Sequence, residues 1–461
     1  MKINLNIITF LLMAPLFAAC AIFRPADSLP GSVDLPPAFS MYSEKADTTG
    51  EWWHDFKSEN LDQLIASAIS DNFSIKEAWA RLAQAQYTAI KSGAARAPQL
   101  NYQAAAANLE SKNQGSSQTN TTNWSLGFLA SYEVDLWGRL KADQESTNLL
   151  TRAREEDLKT AMMTVTGEIT DNWVRLVSNK NQQILFSKQL ALQEKLLNLV
   201  KQRFPLAKST ALDIYQQQQA IEAIKTTMIP LAARENSLIR QLALLTGKTS
   251  VDPDRLPAAL FPTIGELPAL GLPADLLAAR PDIRAAGLRL KSGQWEVVAA
   301  KADRLPALKL TATHTFSDQE LGSIFDNWLL NLAANLTGPI FDGKRRRAEV
   351  ERTKAIAEER IATYGKTVFT AIKEVEDALA DEAEQSKTLK SLNNQLAISE
   401  KTVREAKRRY LNGNSDFLNV LREELNILKT QQNLIIAQEN MIIARIKLYK
   451  ALGGSWVDNY L

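Results

Sequence analysis

Two long stretches, Gly138–Phe204 and Gly343–Tyr410, limit what this chain can fold into more than any other feature. Neither contains a proline. Each follows a short turn signal, Asp135-Leu136-Trp137-Gly138-Arg139 in one case and Pro339-Ile340-Phe341-Asp342-Gly343-Lys344 in the other. Apolar residues fall at Leu158, Met162, Val165, Ile169, Trp173 and Leu176 in the first, and at Ile361, Tyr364, Val368, Ile372, Val375 and Leu379 in the second. Steps of three and four place them on one narrow helical face. A helix of about 65 residues is roughly 100 Å long at 1.5 Å per residue, too long for the inside of a compact domain. It must run beside another helix, as in a coiled coil, or form the wall of something tall. An ordinary coiled-coil scaffold has the same periodicity, so the seam alone leaves both readings open.

The 461 residues carry a net charge of +2, without the basic excess that nucleic acid demands, so no nucleic-acid partner is expected. Cys20 is the one cysteine, and His54 and His314 are the two histidines, far apart in sequence. An internal disulfide is impossible, and His/Cys metal sites of the usual spacing are excluded. With no Ser/His/Asp or Cys/His constellation and no glycine-rich phosphate loop, neither an enzyme nor a cofactor is expected. Residues 1–19 read as an export signal: Lys2 gives a positive start, and Ile7 to Phe17 is an apolar core too short to remain as a spanning helix. Its end, Leu16-Phe17-Ala18-Ala19-Cys20, looks like a bacterial lipobox, in which Cys20 becomes the acylated first residue of the mature chain. Ordinary cleavage after small residues is the simpler alternative. Ala21 after the cysteine suggests sorting to the outer membrane.

After a tether over 20–60, which ends in the aromatic cluster Trp52-Trp53-His54-Asp55-Phe56, the chain reads as two similar halves. The cluster, His54 included, is read as a packing cap on helices. The first half, 61–250, has a helix over Leu61–Ala95, a strand hairpin over about 99–133, a long helix over 138–204 and a helix over 208–246. A bend is expected in that last helix at Pro230, since an interior proline costs about 3 kcal/mol. A proline-rich linker, 251–273, precedes the second half, 274–461. There the order recurs: a helix over Leu276–Ala302, a hairpin over about 307–337, a long helix over 343–410 and a helix over 414–452. Arg96-Ala97-Pro98 matches Arg304-Leu305-Pro306, and Trp137-Gly138-Arg139 matches Asp342-Gly343-Lys344. These matches define an internal repeat of about 205 residues.

The hairpins carry the membrane signal. Trp124, Leu126, Phe128, Ala130 and Tyr132 alternate with Ser125, Gly127 and Ser131. Leu308, Leu310 and Ala312 alternate with Lys309, Thr311 and Thr313, and Trp328, Leu330 and Leu332 with Asn331 and Asn335. Period two means strands with two unlike faces. Apolar faces with aromatic ends, opposite Ser, Thr and Asn, fit a transmembrane barrel wall. On that reading Trp124, Leu126, Phe128, Leu308, Leu310, Trp328 and Leu330 face lipid. Two soluble hairpins are the alternative. Four strands cannot close a barrel, because barrels start near about eight and unpaired edges are not tolerated in lipid. The chain must therefore oligomerise.

The stretches Tyr132-Glu133-Val134-Asp135-Leu136-Trp137-Gly138-Arg139, Ala279-Arg280-Pro281-Asp282-Ile283-Arg284-Ala285-Ala286, Gly338-Pro339-Ile340-Phe341-Asp342-Gly343 and Arg409-Tyr410 with Asn412-Gly413 resemble the TolC-like outer-membrane efflux factors, in their lipoprotein branch. The resemblance implies a mixed α+β membrane protein: a homotrimer with a twelve-stranded β-barrel, four strands per chain, continuous with a long α-helical barrel. It implies passive transport of small toxic compounds or drugs, powered by an inner-membrane efflux transporter and coupled through a periplasmic adaptor (membrane fusion) protein. A duct for type I-like protein secretion is the alternative on the same architecture, and a periplasmic scaffold or adaptor the alternative without it. In the family the tunnel closes at the periplasmic helix turns, here Phe204–Asp213 and Tyr410–Arg422, by acidic rings. Asp416 matches one such position, whereas Asn419 and Arg422 stand at two others, and Asp213 is the first-half equivalent of Asn419. Three copies of Asp416 would repel one another and favour cations or arginines, with Arg408, Arg409 and Arg422 as candidates. Asp416 reads equally as the start of the last helix, where acids are favoured.

Overall fold

The computed structural model describes residues 23–25, 35–36, 38–39, 50–111, 119–268 and 270–460; the expected signal peptide and Cys20 lie outside them. The chain divides into two compact units. One comprises residues 1–33, 80–156 and 284–366, and the other residues 34–79, 157–283 and 367–461.

The first unit is built on one antiparallel sheet. Its strands β1 (Gln99–Ser111), β2 (Thr119–Val134), β3 (Ala307–Asp318) and β4 (Trp328–Thr337) lie side by side in chain order. Residues opposite one another in an antiparallel pair share a face. Tyr102 lies opposite Phe128, Phe128 opposite His314, and His314 opposite Leu330; Ala104, Leu126, Phe316 and Trp328 form the next rung. Thr119 to Asn123, which precede the alternating stretch that starts at Trp124, belong to β2 and pair with Ala107 to Ser111. Thr and Asn do not distinguish loop from strand by polarity, and the β-branched threonines suit the pleat once a partner strand is present.

After β2 and β4, α3 (Arg139–Arg203) and α7 (Arg345–Leu411) begin at capped turns. The Asp135 carboxylate accepts from the backbone N–H groups of Leu140 and Lys141 at 3.1 and 2.8 Å, and that of Asp342 accepts from Arg346 N–H at 3.2 Å. These bonds satisfy donors that a helix start leaves open. The Trp137 indole N–H donates to the Pro306 carbonyl at 2.7 Å, tying the turn after β2 to the entry of β3.

The second unit is helical. All six seam residues of α3, Leu158 to Leu176, are buried. The helix expected over Leu61–Ala95 is two, α1 (Glu59–Asp71) and α2 (Phe73–Ala94), broken at Asn72. The Asn72 side-chain oxygen accepts from Ser74 and Ile75 N–H at 2.8 and 3.2 Å, and its amide donates to the Leu245 carbonyl at the end of α4 (Ala211–Leu245) at 2.7 Å. Arg280 holds the matching place between α5 (Leu276–Ala279) and α6 (Pro281–Ala302). It donates to the Ala451 carbonyl at 3.0 Å, near the end of α8 (Phe417–Leu452), and pairs with Asp282 and Glu374 at 2.7 Å each. Helix α4 runs through Pro230 unbroken. Ile224 and Leu231, on either side of it, are buried with Phe186 and Leu428, and this packing holds the helix across the missing hydrogen bond. The aromatic cluster caps this unit as expected: Trp53 meets Trp456 edge to face at 4.7 Å, Trp52 stacks on Tyr449 at 5.2 Å, and His54 pairs with Glu51 and Asp62 at 2.7 and 3.1 Å.

Arg445 anchors the linker. Its guanidinium forks onto Glu382 at 2.6 and 3.0 Å and also donates to the carbonyls of Gly265 and Glu266 at 3.2 and 2.8 Å. Arg445 is 3% exposed and Glu382 9%. Removing one member leaves a buried charge unpaired. Arg445→Ala is therefore expected to destabilise the folded protein by about 3–5 kcal/mol. The double change Arg445→Met, Glu382→Leu should recover most of that loss. Denaturant unfolding followed by tryptophan fluorescence checks both, and a single variant as stable as the parent would contradict the assignment.

Candidate functional site

Two features of the chain invite function: one face of the sheet and the paired helix turns. Trp124, Leu126, Phe128, Leu308, Leu310, Trp328 and Leu330 all fall on one face by register, together with Leu100, Tyr102 and Tyr132. Among the described residues nothing covers the face: Tyr102 is 78% exposed, Leu332 72% and Trp328 64%. Its one imidazole, His314, packs against Phe316 at 4.5 Å and Trp328 at 5.6 Å. The opposite face presents Gln103, Ser125, Ser131, Thr311, Thr313, Asn331 and Asn335, with Glu133 and Lys309 opposite each other near its base. An apolar face of this extent is not left to water in a soluble monomer. The polar face suits an aqueous lumen.

The turns are built from local contacts. At the end of α3, the Ser209 hydroxyl donates to the Val200 carbonyl at 2.8 Å. Thr210 and Asp213 then form a reciprocal capping box at 3.2 and 2.7 Å that starts α4. Asp213 is thus committed to its own helix. At the second turn Gly413, with φ 76°, allows the reversal that a side chain would resist. Asp416 occupies the cap position of α8 but its carboxylate makes no cap hydrogen bond. Asn419 donates to the Ser415 hydroxyl at 3.0 Å, and Arg422 is exposed.

Between the turns lies a small core of Val200, Ala220, Tyr410, Phe417, Val420 and Leu421. The Arg203 guanidinium lies 4.7 Å from the Tyr410 ring centre, and Tyr410 lies 5.4 Å from Phe417. A cleft of about 660 Å³ opens beside this stack and is lined in part by Arg203, Asp213, Tyr410 and Asp416. Arg409, a candidate partner of Asp416, instead bonds Glu405 at 3.0 Å, and Arg408 bonds the same carboxylate at 2.8 and 2.9 Å. Charge geometry explains the choice: both arginines lie three or four residues along the same helix from Glu405, the spacing at which side chains meet. The hydrogen bonds from Arg408 and then Arg409 hold the Glu405 pKa down at about 2. A depressed carboxylate stabilises fully above its ordinary value, 4.5, and loses that effect as pH falls through about 2, so the clamp is closed throughout the physiological range. Residue types alone did not point to the Arg203–Tyr410 contact, nor to Lys407 paired with the buried Glu424. The one available hint was a glutamate among the apolar positions of α8.

Comparison with known proteins gives one consistent result. The model of the outer membrane efflux protein family matches residues 64–248 and 272–454. Among characterised relatives, the pyoverdine export outer membrane protein OpmQ of Pseudomonas aeruginosa is 30% identical, over 96% of each chain. The cation efflux system protein CusC of Escherichia coli is 26% identical, over 94% of each. Among solved structures, the CmeC outer membrane channel of Campylobacter jejuni superposes with a TM-score of 0.85 at 20% identity, over 94% of this chain and 95% of that one. The outer-membrane channel OprN superposes with a TM-score of 0.82 at 25% identity, over 94% and 98%.

If the ring stack holds the turns together, removing the ring should loosen them. Tyr410→Ala should cost about 3 kcal/mol locally and raise the rate of limited proteolysis at 204–210 and 412–416 by at least about tenfold. Tyr410→Phe should stay within about twofold of the parent. Equal cleavage of parent and Tyr410→Ala would show that the stack does not hold the turns.

Proposed function

This chain belongs to the outer membrane efflux protein family, and from that premise we propose that it acts as a passive exit duct for small toxic compounds, closed as a homotrimer. It is the outer-membrane component of an efflux pump. The observation that carries the trimer reading is the sheet. Apart from His314, one face is apolar across the part flanked by Trp124 and Trp328, the other carries most of the polar side chains, and among the described residues β1 and β4 each have a neighbour on one side only. In lipid those edges must pair. Three copies of four strands give a twelve-stranded barrel, large enough for an aqueous channel. The family match over two successive segments of the chain, and the latches of Asn72 on Leu245 and Arg280 on Ala451, support an internal two-fold repeat. The helices then line a periplasmic tunnel that engages a periplasmic adaptor and an inner-membrane transporter. Acylation of Cys20 adds a lipid anchor in the outer membrane of a Gram-negative cell. Covalent cross-linking of detergent-purified protein, with electron microscopy, tests the assembly: a monodisperse single subunit with no hollow cylinder would sink it.

The turns around Asp416 serve as the periplasmic gate. Support comes from the absence of a cap bond on the Asp416 carboxylate, which leaves it available at an axis shared by three copies. Asn419 and Arg422 stand near it, Arg409 is held by Glu405, and Asp213 closes its own capping box. Asp416→Ala is expected to raise the single-channel conductance of the closed duct in planar bilayers, because removing three like charges also removes their bound counter-cations. Arg409→Ala, which frees Glu405 rather than Asp416, should have the smaller effect. Unchanged conductance in Asp416→Ala would remove Asp416 from the gate. Cys20→Ala should abolish incorporation of labelled fatty acid while trimers still form; labelling that persists would rule out the anchor.

A further inference from the structure

Resting on the trimer reading, the two open edges of the sheet define how one copy meets the next, residue by residue. Pro98 precedes β1 as Pro306 precedes β3, 208 positions apart. Each hairpin has its own register: Gln99 lies opposite Ser131, and Ala307 opposite Thr337. If Gln99 corresponds to Ala307, Ser131 corresponds to Thr337, so β2 maps onto β4 with a spacing of 206. The helix starts give the same spacing independently. Helix α3 begins at Arg139 and α7 at Arg345, and the preceding residues, Gly138 and Lys344, both have positive φ, 76° and 70°. The match of Trp137-Gly138-Arg139 to Asp342-Gly343-Lys344 made from sequence is therefore shifted by one residue.

The chain contains one seam between hairpins, β2 against β3, and its register is known. Ser131 lies opposite Thr311, Ala130 opposite Ala312, Phe128 opposite His314 and Trp124 opposite Asp318. Carrying β2 onto β4 and β3 back onto β1 turns each of these rungs into a rung between copies. We propose that β4 of one copy pairs antiparallel with β1 of its neighbour, with Thr337 opposite Gln103, Leu336 opposite Ala104, Ala334 opposite Ala106 and Leu330 opposite Glu110. The faces agree: Leu336, Ala334, Ala104 and Ala106 belong to the apolar face, and Thr337 and Gln103 to the polar one. A slip of one residue would bring Leu336 against Gln103 and mix the faces, which lipid forbids. A slip of two keeps the faces, and there the repeat decides. The same register sets Gly338 opposite Tyr102, the one ring on β1, so an aromatic side chain covers the glycine that follows β4. The rung Tyr102–Phe128–His314–Leu330 then continues at Glu110 of the next copy, a rise of eight positions per copy along β1. A closed barrel needs such a stagger to tilt its strands.

Double cysteine variants test the register in isolated outer membranes under mild oxidation. Directly opposed Cα atoms are about 4.5–5.5 Å apart, within the reach of a disulfide, whereas a two-residue offset gives about 7–8 Å. Within one chain β1 and β4 are separated by two strands, so no internal bond competes. Ala106→Cys with Ala334→Cys should give covalent dimers and trimers on a non-reducing gel. The yield should exceed that of Ala106→Cys with Leu332→Cys, or with Leu330→Cys, by about tenfold or more. Ala107→Cys with Ala333→Cys reports the same register from the polar face, and replaces any variant not recovered in the membrane. Preferential linkage in an offset pair overturns the register but keeps closure through these edges. No linkage in any pair, with normal recovery, overturns closure itself and the trimer with it.

Discussion

The rest of the structure answers to one constraint, that peptide groups in lipid have no water to bond. A hairpin in an aqueous protein can leave an edge strand open to solvent; the same edge against hydrocarbon costs several kcal/mol per unpaired group. Strands β1 and β4 each have such an edge. The apolar face requires lipid, and lipid requires that the edges be paired. Neither requirement can be met by a single chain, so the proposed assembly would be a condition of folding and not an addition to it. The consequence reaches back to the sequence: two hairpins per chain, with the same face pattern, supply two wall segments of similar design.

The helical unit solves a different problem. Long helices offer little apolar surface per residue, and many interior positions of α3 are polar: Thr166, Thr170, Asn172, Ser178, Asn179, Gln182, Gln189 and Gln193 are buried. Several of them bond back to their own helix, as Thr170 does to the Thr166 carbonyl at 2.9 Å and Asn172 to Glu168 at 2.8 Å, so burial leaves those groups satisfied. Others pair across helices, as Gln217 does with Gln193 at 2.6 Å. Packing of this kind is weaker per area than an oily core and more selective about alignment. Helix ends are therefore fixed by side chains that reach across sequence, Asn72 to Leu245 and Arg280 to Ala451. Gly247 and Gly453 sit against the backbone of Asp71 and Ala279, where a Cβ would collide at 2.3 and 2.6 Å.

What could be read from the sequence depended on the range of the interaction. Strand alternation around Trp124 and Trp328 is a local pattern, and the rungs put those residues on one face. The seam residues of α3 are equally local in origin and are buried. The break at Asn72 was not visible, because asparagine within a helical pattern is ambiguous until its partner, 173 residues away, is known. The second-half helix, read as continuous over Leu276–Ala302, is likewise broken, before Pro281, and Arg280 as the group that fills the break depends on Ala451. At the turns, local chemistry was legible and partnership was not. Asp416 stands at a helix start as its type suggests, but two of the three arginines that seemed to answer it, Arg408 and Arg409, face Glu405. Choosing among neighbouring acids requires the helical phase to within a single residue, which composition does not supply.

That choice bears on how the turns, in their proposed role as a gate, would open without unravelling. Within one copy, cohesion comes from Tyr410 between Arg203 and Phe417 and from the buried aliphatic residues around them. Ring packing is insensitive to salt and to the charge of distant groups. The exposed ions divide into those satisfied locally, Glu405 with Arg408 and Arg409, and Asp416, whose carboxylate has no bond at its own helix start. On the proposed gate reading, repulsion among copies of Asp416 would act between subunits and leave each turn intact. A gate arranged as proposed would open by moving rigid turns apart, with the energy of the closed state set at the axis and the integrity of each turn set beside it.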